Sequence, residues 1–446
     1  MLSLFLTMTN FVAIRDQYNR IEFRPRQIPS PGVATGGIWV NSRFKLSQGA
    51  LWLLLTFSGA QTANAVATVF VNLFMLVLAH NLSGLILFNI GYFVPLTATF
   101  YVAAKIFHDK PPLLPYRIGL LLTMVFYATL LGLSHHANQL IFVLGFFYGV
   151  AQGFYWFGFN LMTFDTIDPM LRMRFFGMSG AINSVTGIVA PLFSGFVIST
   201  LPGLGGYLIV FAAALALYSA AFVLSQGVPK GPPMQLRPVM DSWHIITERP
   251  KWAAIIKTVV VRGTREGIAN LAGLFLIFVA THNAAYVGVY TALNALARMT
   301  SSLLITRHVR HGRQIAFMTT GIAGVSGAGM LLLAGQTWPW ILAYGVLFGL
   351  SLPFYMVPSE NIPLSIMDQD PEITQRRVSY TLSREVALNI GRLFTLALLA
   401  LGTLWLTPRV MIIGLIILTS VAQFWNVPVM HAMVPRTRDA VATSKK

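Results

Sequence analysis

The chain has 446 residues, 55% of them hydrophobic and 10% charged, with a net charge of +17 and no cysteine. Soluble domains carry about 25% charged residues, so water-facing surfaces for several globular domains cannot be assembled here, and lipid is the solvent that fits. Disulfides and thiolate metal sites are excluded, and the charge excess is read as cytoplasmic-loop bias and attraction to anionic lipid, not nucleic-acid binding.

Residues 1–45 begin with an apolar run, Met1 to Ile14, that is too short to span a bilayer. Arg15, Arg20, Arg24 and Arg26 follow it, the reverse of a secretory signal. This reads as a basic cytoplasmic tail with an interfacial helix. Apolar segments of spanning length then recur at 49–78, 84–106, 117–134, 138–163, 176–200, 205–226, 253–280, 284–305, 315–335, 338–362, 377–405 and 409–431. That predicts an all-α integral membrane protein of about twelve spans.

Connectors after even-numbered spans are basic, as at Lys105, Lys110, Arg117, Arg249, Lys251, Arg307, Arg310, Arg313, Arg376 and Arg377. Those after odd-numbered spans are short and almost uncharged, such as His80-Asn81 and His282-Asn283. Lysine and arginine bias sets orientation, so both termini are expected in the cytoplasm and the protein in the cytoplasmic membrane. The longest internal connector, 227–252, holds Pro229, Pro232, Pro233, Pro238 and Pro250 and reads as a linker. It separates a bundle at 46–226 from a second at 253–433, with a cytoplasmic tail at 434–446.

The two halves match at a shift of about 200 residues. Gly145, Gly149 and Phe154-Tyr155 fall on Gly345, Gly349 and Phe354-Tyr355, and Asp168 falls on Asp368. The His-Asn doublets close the first and seventh spans. Gly59 and Gly187 fall near Gly263 and Gly391. A parallel six-plus-six repeat is a transporter architecture, with its binding site at the repeat interface near the midplane.

With twelve spans, a central linker, and Arg310-His311-Gly312-Arg313 after the eighth span, the chain resembles the major facilitator superfamily. The glycine and aspartate that open that family's signature are missing here, and after the second span only Asp109-Lys110 survives. Ala190-Pro191 beside Gly187 is a poor copy of the antiporter motif of the fifth span. The resemblance implies two six-helix bundles rocking about a central cavity, with Arg310, Gly312 and Arg313 at the cytoplasmic gate.

The sharpest chemical signal is charge inside the second half. The seventh span carries Arg262, Arg265 and Glu266; the eleventh carries Arg384, Glu385, Asn389 and Arg392. Arg262 to Glu266 lie about 13–20 Å from the cytoplasmic end of their span, near the midplane. A charge there costs about 2.5–3.5 kcal/mol on insertion scales, so these groups face protein or water. The residues allow three readings: a buried structural network, an arginine site for an anionic solute, and a glutamate, Glu266 or Glu385, that takes up a proton. The first half offers Gln61, Asn64, Tyr155 and Asn160 as a polar and aromatic wall, and Asn160 falls on Glu360 in the repeat.

No His-Glu-x-x-His motif, cysteine nucleophile or nucleotide-binding loop is present, and Asp368-Gln369-Asp370 reads as solvated loop charge. An enzyme is not expected and no cofactor is required. The reading is a monomeric secondary active transporter moving a small organic anion or zwitterion, with the proton as candidate coupling ion. A lipid or glycolipid flippase of the same fold, or an intramembrane enzyme, is the alternative.

Overall fold

The computed structural model describes residues 46–165, 167, 172–231, 233, 241–308 and 313–433. The two terminal tails, Arg310, Gly312 and Asp168 lie outside these residues.

Twelve long helices run through the described residues. The first six are α1 (Gln48–Ala79), α2 (Leu82–Ile106), α3 (Leu113–Leu133), α4 (Ile141–Asp165), α5 (Arg172–Thr200) and α6 (Gly205–Leu224). A short helix, Asp241–Glu248, lies in the connector. Then come α7 (Pro250–Thr281), α8 (Ala284–His308), α9 (Gln314–Ala334), α10 (Trp338–Met367), α11 (Ile373–Gly402) and α12. The last runs as α-helix over Pro408–Ala422, tightens to a 3-10 turn at Gln423–Trp425 and resumes at Asn426–Met433.

Eleven of these segments are long and apolar enough to cross a bilayer. The exception is α8, whose 25 residues include Asn294, Arg298, Ser301 and Ser302. It packs on both α5 and α10, so less of its surface must satisfy lipid. Exposed leucine, valine and phenylalanine, such as Leu55, Val189, Phe196 and Leu333, cover the outer faces of other helices. Trp338, Trp340 and Trp405 stand exposed near one end of the bundle, as aromatic belts do at a bilayer interface.

The helix pairing of the first six recurs in the second six. α2 packs on α4 as α8 packs on α10, α3 on α4 as α9 on α10, and α1 on α5 as α7 on α11. Between the halves, α5 meets α8 and α2 meets α11. Detail repeats as well. α1 and α7 each have 32 residues and end at a histidine in left-handed conformation, His80 at φ 54° and His282 at φ 52°. The asparagine after each accepts a backbone N–H of the next helix, at 3.1 Å from Gly84 and 2.8 Å from Ala285. The Ser194 hydroxyl donates to the Val66 carbonyl at 2.9 Å, and that of Thr395 to Thr264 at 2.8 Å.

The tightest helix contact in the second half is between α7 and α11. A Cβ added at Gly263 would lie 2.2 Å from the Leu388 carbonyl oxygen, and one at Gly391 would lie 2.1 Å from that of Val260. Only glycine on both helices permits this approach. In the first half the related Gly187 instead faces Ala295 of α8, and Gly59 faces Ala221 of α6. The repeat-related positions of the first half therefore form no such glycine pair.

At the linker end, Asp370 ties the turn between α10 and α11 to the start of α7. Its carboxylate accepts from Arg249 at 3.2 Å, the Glu372 backbone N–H at 3.0 Å and the Tyr380 hydroxyl at 2.7 Å. Arg376 pairs with Glu248 at 3.0 Å and Glu372 at 2.8 Å. Burial alone would raise the Asp370 pKa, but the Glu372 amide, the Tyr380 hydroxyl and Arg249 outweigh it and hold the carboxyl below the usual aspartate range.

Two outcomes are expected. Gly391→Ala, which forces α7 and α11 apart, costs about 1–3 kcal/mol by overpacking, read as a lowered melting temperature in detergent. A lowered carboxyl pKa gives stability that is present above the unfolded value of about 3.9 and is lost as pH falls through the folded value. Asp370→Asn should therefore melt below the parent protein near neutral pH, and the gap should close on acidification below that value. A gap independent of pH would show that the charge of Asp370 contributes nothing.

Candidate functional site

The close α7–α11 contact sets a chain of arginines and glutamates face to face. Arg262 donates through Nε to Glu266, one turn on, at 2.7 Å, and through Nη1 to Glu360 of α10 at 2.5 Å. Arg384 of α11 donates to the other Glu360 oxygen at 2.9 Å. Arg392 donates to Glu266 at 2.6 Å and to the Asn389 amide oxygen at 3.0 Å. Glu266 and Glu360 thus each bridge two arginines. Glu385 is different, since Arg384 approaches it only to 3.8 Å.

Helical spacing explains the geometry. Arg262 and Glu266 stand four residues apart, and Asn389 and Arg392 three, so each pair shares a face. α10 supplies Glu360 where Pro353, Pro358 and Pro363 interrupt its hydrogen-bond ladder. Buried ion pairs are tolerated when further hydrogen bonds occupy the charged groups, and Glu266 and Glu360 meet that condition. Glu360 keeps 33% of its side-chain surface accessible and Arg384 keeps 26%, so this edge of the network meets a water-accessible space.

Arg265 sits apart. Its side chain is 4% exposed, and its nearest carboxylate oxygen, on Glu266, is 3.9 Å away. One Nη reaches the Met356 sulfur at 3.6 Å, a weak acceptor, while its Nε is buried without a partner. The guanidinium lies 5.8 Å from the Phe348 ring centroid and 5.2 Å from that of Tyr355. Tyr355 is itself fixed by donating to Gln423 of α12 at 2.7 Å.

The first-half candidates are dispersed. Gln61 and Asn64 are half-buried on α1, with Asn64 accepting from Thr68. Tyr155 is buried against Tyr116, its backbone pressed on Gly119, as Tyr355 is pressed on Gly321 in the other half. Asn160 borders a small void of about 10 Å³ between α2, α4 and α11. A larger groove, about 350 Å³, lies far from the charges, beside Asn81, Asn138 and Gln139. Arg313 is exposed at the start of α9. The charged side touches the first half at Phe93 of α2, whose ring centroid is 5.2 Å from the Arg392 guanidinium.

Sequence reasoning counted Arg298 of α8 among the arginines inside spans but did not place it in the site; it donates to Asn294 at 2.9 Å. Its position inside a span was the available signal. Phe93, Phe348 and Met356 carried none, because such residues are common in every membrane helix.

A model of the Major Facilitator Superfamily matches residues 112–371, more than half of the chain. "Uncharacterized protein YqgE" of Bacillus subtilis (strain 168) is 26% identical over 351 residues, 78% of this chain and 81% of that protein. "Uncharacterized protein in sodM 3'region" of Geobacillus stearothermophilus is 34% identical over 170 residues, 38% of this chain and 79% of its own. Among solved structures, "Crystal structure of a bacterial homologue of iron transporter ferroportin in inward-facing state" is similar, with TM-score 0.61 and 16% identity, covering 87% of this chain and 98% of that one. "Structure of a bacterial metal transporter" is also similar, with TM-score 0.57 and 15% identity over the same shares. The all-helical membrane frame, its repeated helix pairing and the family match together show that this chain belongs to the Major Facilitator Superfamily and is a membrane transporter, not an enzyme.

Proposed function

We propose that the chain is a secondary active transporter that moves a small organic anion or zwitterion by alternating access. The carrying observation is the α7–α10–α11 cluster, where Arg262, Arg265, Arg384 and Arg392 stand against Glu266, Glu360 and Glu385. An excess of guanidinium beside a water-accessible edge favours a carboxylate or phosphate group, which arginine meets with paired hydrogen bonds. The bundles 46–226 and 253–433 rock about this centre, and the basic connectors support a cytoplasmic side for the linker end and both termini.

The solved structures of similar fold are described as metal and iron transporters. Here the arginines already bind Glu266 and Glu360, and among the described residues no group of three or more metal-ligating side chains gathers. A cation is therefore the less favoured cargo. A flippase remains the second reading, because exposed apolar faces border the bundle, and lipid substrates would show it.

Glu385 is the proposed proton carrier. Its arginine contact is the loosest of the three glutamates, so exchanging a proton there breaks the fewest short bonds. The test is uptake into proteoliposomes of labelled dicarboxylates, organic phosphates, zwitterions, manganese and short-chain lipids, with and without an imposed pH gradient. Organic anion or zwitterion uptake is expected. Glu385→Gln should lose the response to the pH gradient while retaining exchange of internal for external solute. Uptake of manganese alone, or lipid scrambling alone, would overturn the anion reading.

A further inference from the structure

Charge counting sharpens the site, on the premise that the chain carries an anionic solute. Arg262, Arg384 and Arg392 stand with Glu266, Glu360 and Glu385, three positive against three negative. That set is neutral. Two arginines remain, Arg265 on α7 and Arg298 on α8.

Among the described residues, neither has a carboxylate of its own. Glu266 gives its short bonds to Arg262 and Arg392 and leaves Arg265 at 3.9 Å. Arg298 finds only the amide oxygen of Asn294, and Asn294 spends its N–H on the Gly345 carbonyl at 2.7 Å. Arg298 is exposed, so its guanidinium is open to a space outside the packed core. The neighbouring positions fix its direction, since Ala295 faces Gly187 of α5 and Asn294 faces α10.

The two arginines converge on the same stretch of α10. Arg265 lies over Phe348, and the α8 turn bearing Asn294 and Ala297 packs on Gly349. Arg265 lies in the interior, where a charge without a close partner is poorly solvated. Among the described residues no carboxylate makes a short bond to either arginine, and the unpartnered Arg265 Nε is a buried donor awaiting an acceptor.

We propose that Arg265 and Arg298 together form the recognition site for a solute carrying two negative charges on oxygen, a dicarboxylate or a phosphate monoester. Binding completes the charge balance of the interior, two positive against two negative, so the loaded carrier holds no net charge in this region.

The test is binding, independent of flux. Purified full-length protein in detergent near neutral pH is titrated with succinate, inorganic phosphate, benzoate and manganese, with sodium chloride matching ionic strength. Thermal shift and calorimetry are the readouts. Succinate or phosphate should raise the melting temperature more than benzoate, and manganese should not. Arg298→Gln should bind the dianion about ten- to a hundredfold more weakly, the loss of one charge-assisted contact, and Arg265→Gln should do the same.

Arg298→Gln without ligand should melt at or above the parent protein, because it removes an uncompensated charge and breaks no ion pair. A structural role for Arg298 would lower that melting temperature and leave the dianion affinity unchanged, which overturns the proposal. So would equal affinity for benzoate and succinate in the parent protein. If dianions do not bind while the reconstituted protein still takes up another solute, this site assignment fails and the transport reading stands.

Discussion

Everything at the centre of this protein depends on how closely α7 can approach α11. Gly263 and Gly391 let the two backbones meet at a distance that any Cβ would forbid. Guanidinium–carboxylate bonds need oxygen and nitrogen within about 3 Å, and these arginines and glutamates sit on separate helices in a medium where an unpaired charge is costly. The glycine contact therefore precedes the electrostatics. With α7 and α11 in register, Glu266 falls between Arg262 and Arg392, and α10 brings Glu360 to the opening left between Arg262 and Arg384.

The repeated frame and the unrepeated charges make an asymmetric machine. Helix pairing, the left-handed histidines, the asparagine caps and the Ser194 and Thr395 bonds all recur. At the position related to Glu360 stands Asn160, and near that of Arg265 stands Gln61. One half keeps amides and aromatic packing, as in the Asn89–Asn72 bond of 2.9 Å. The other concentrates ionised groups. Packing symmetry is retained because lipid and backbone hydrogen bonding constrain both halves alike. Side-chain chemistry is free to diverge wherever the helices face inward.

Much of the frame was legible in the sequence because the bilayer imposes a length on every span. The twelve long helices lie where apolar segments recur, and the His-Asn doublets mark real helix ends. The connector was less legible. Its prolines marked a linker without its internal structure: Asp241–Glu248 is helical and α7 starts at Pro250, which suits a first helical turn. Spacing on one helix grouped Arg262 with Glu266, and the repeat register with Asn160 brought Glu360 into the same cavity, but nothing in the sequence said that Glu360 would bridge Arg262 and Arg384 across three helices. Tyr155 looked like a cavity residue by its polar tip and lies instead in the α3–α4 contact. Arg298 was visible as a charge within a span, but its importance comes from subtraction, after Arg262, Arg384 and Arg392 have been matched to carboxylates.

Each ion pair of the central network joins α7, α10 and α11, so all of them belong to one side of the α2–α11 and α5–α8 seams. The contacts across those seams are apolar or polarisable: Phe100 and Leu96 near Val378 and Leu382, Gly195 against Gly288, and Phe93 beneath Arg392. Separating the halves along these seams therefore breaks dispersion contacts and one cation–π contact, while these salt bridges travel intact. The activation barrier for the conformational exchange then carries little electrostatic work from the network. Its rate should be comparatively insensitive to ionic strength, with the fixed charges acting as ballast that moves with one half of the molecule.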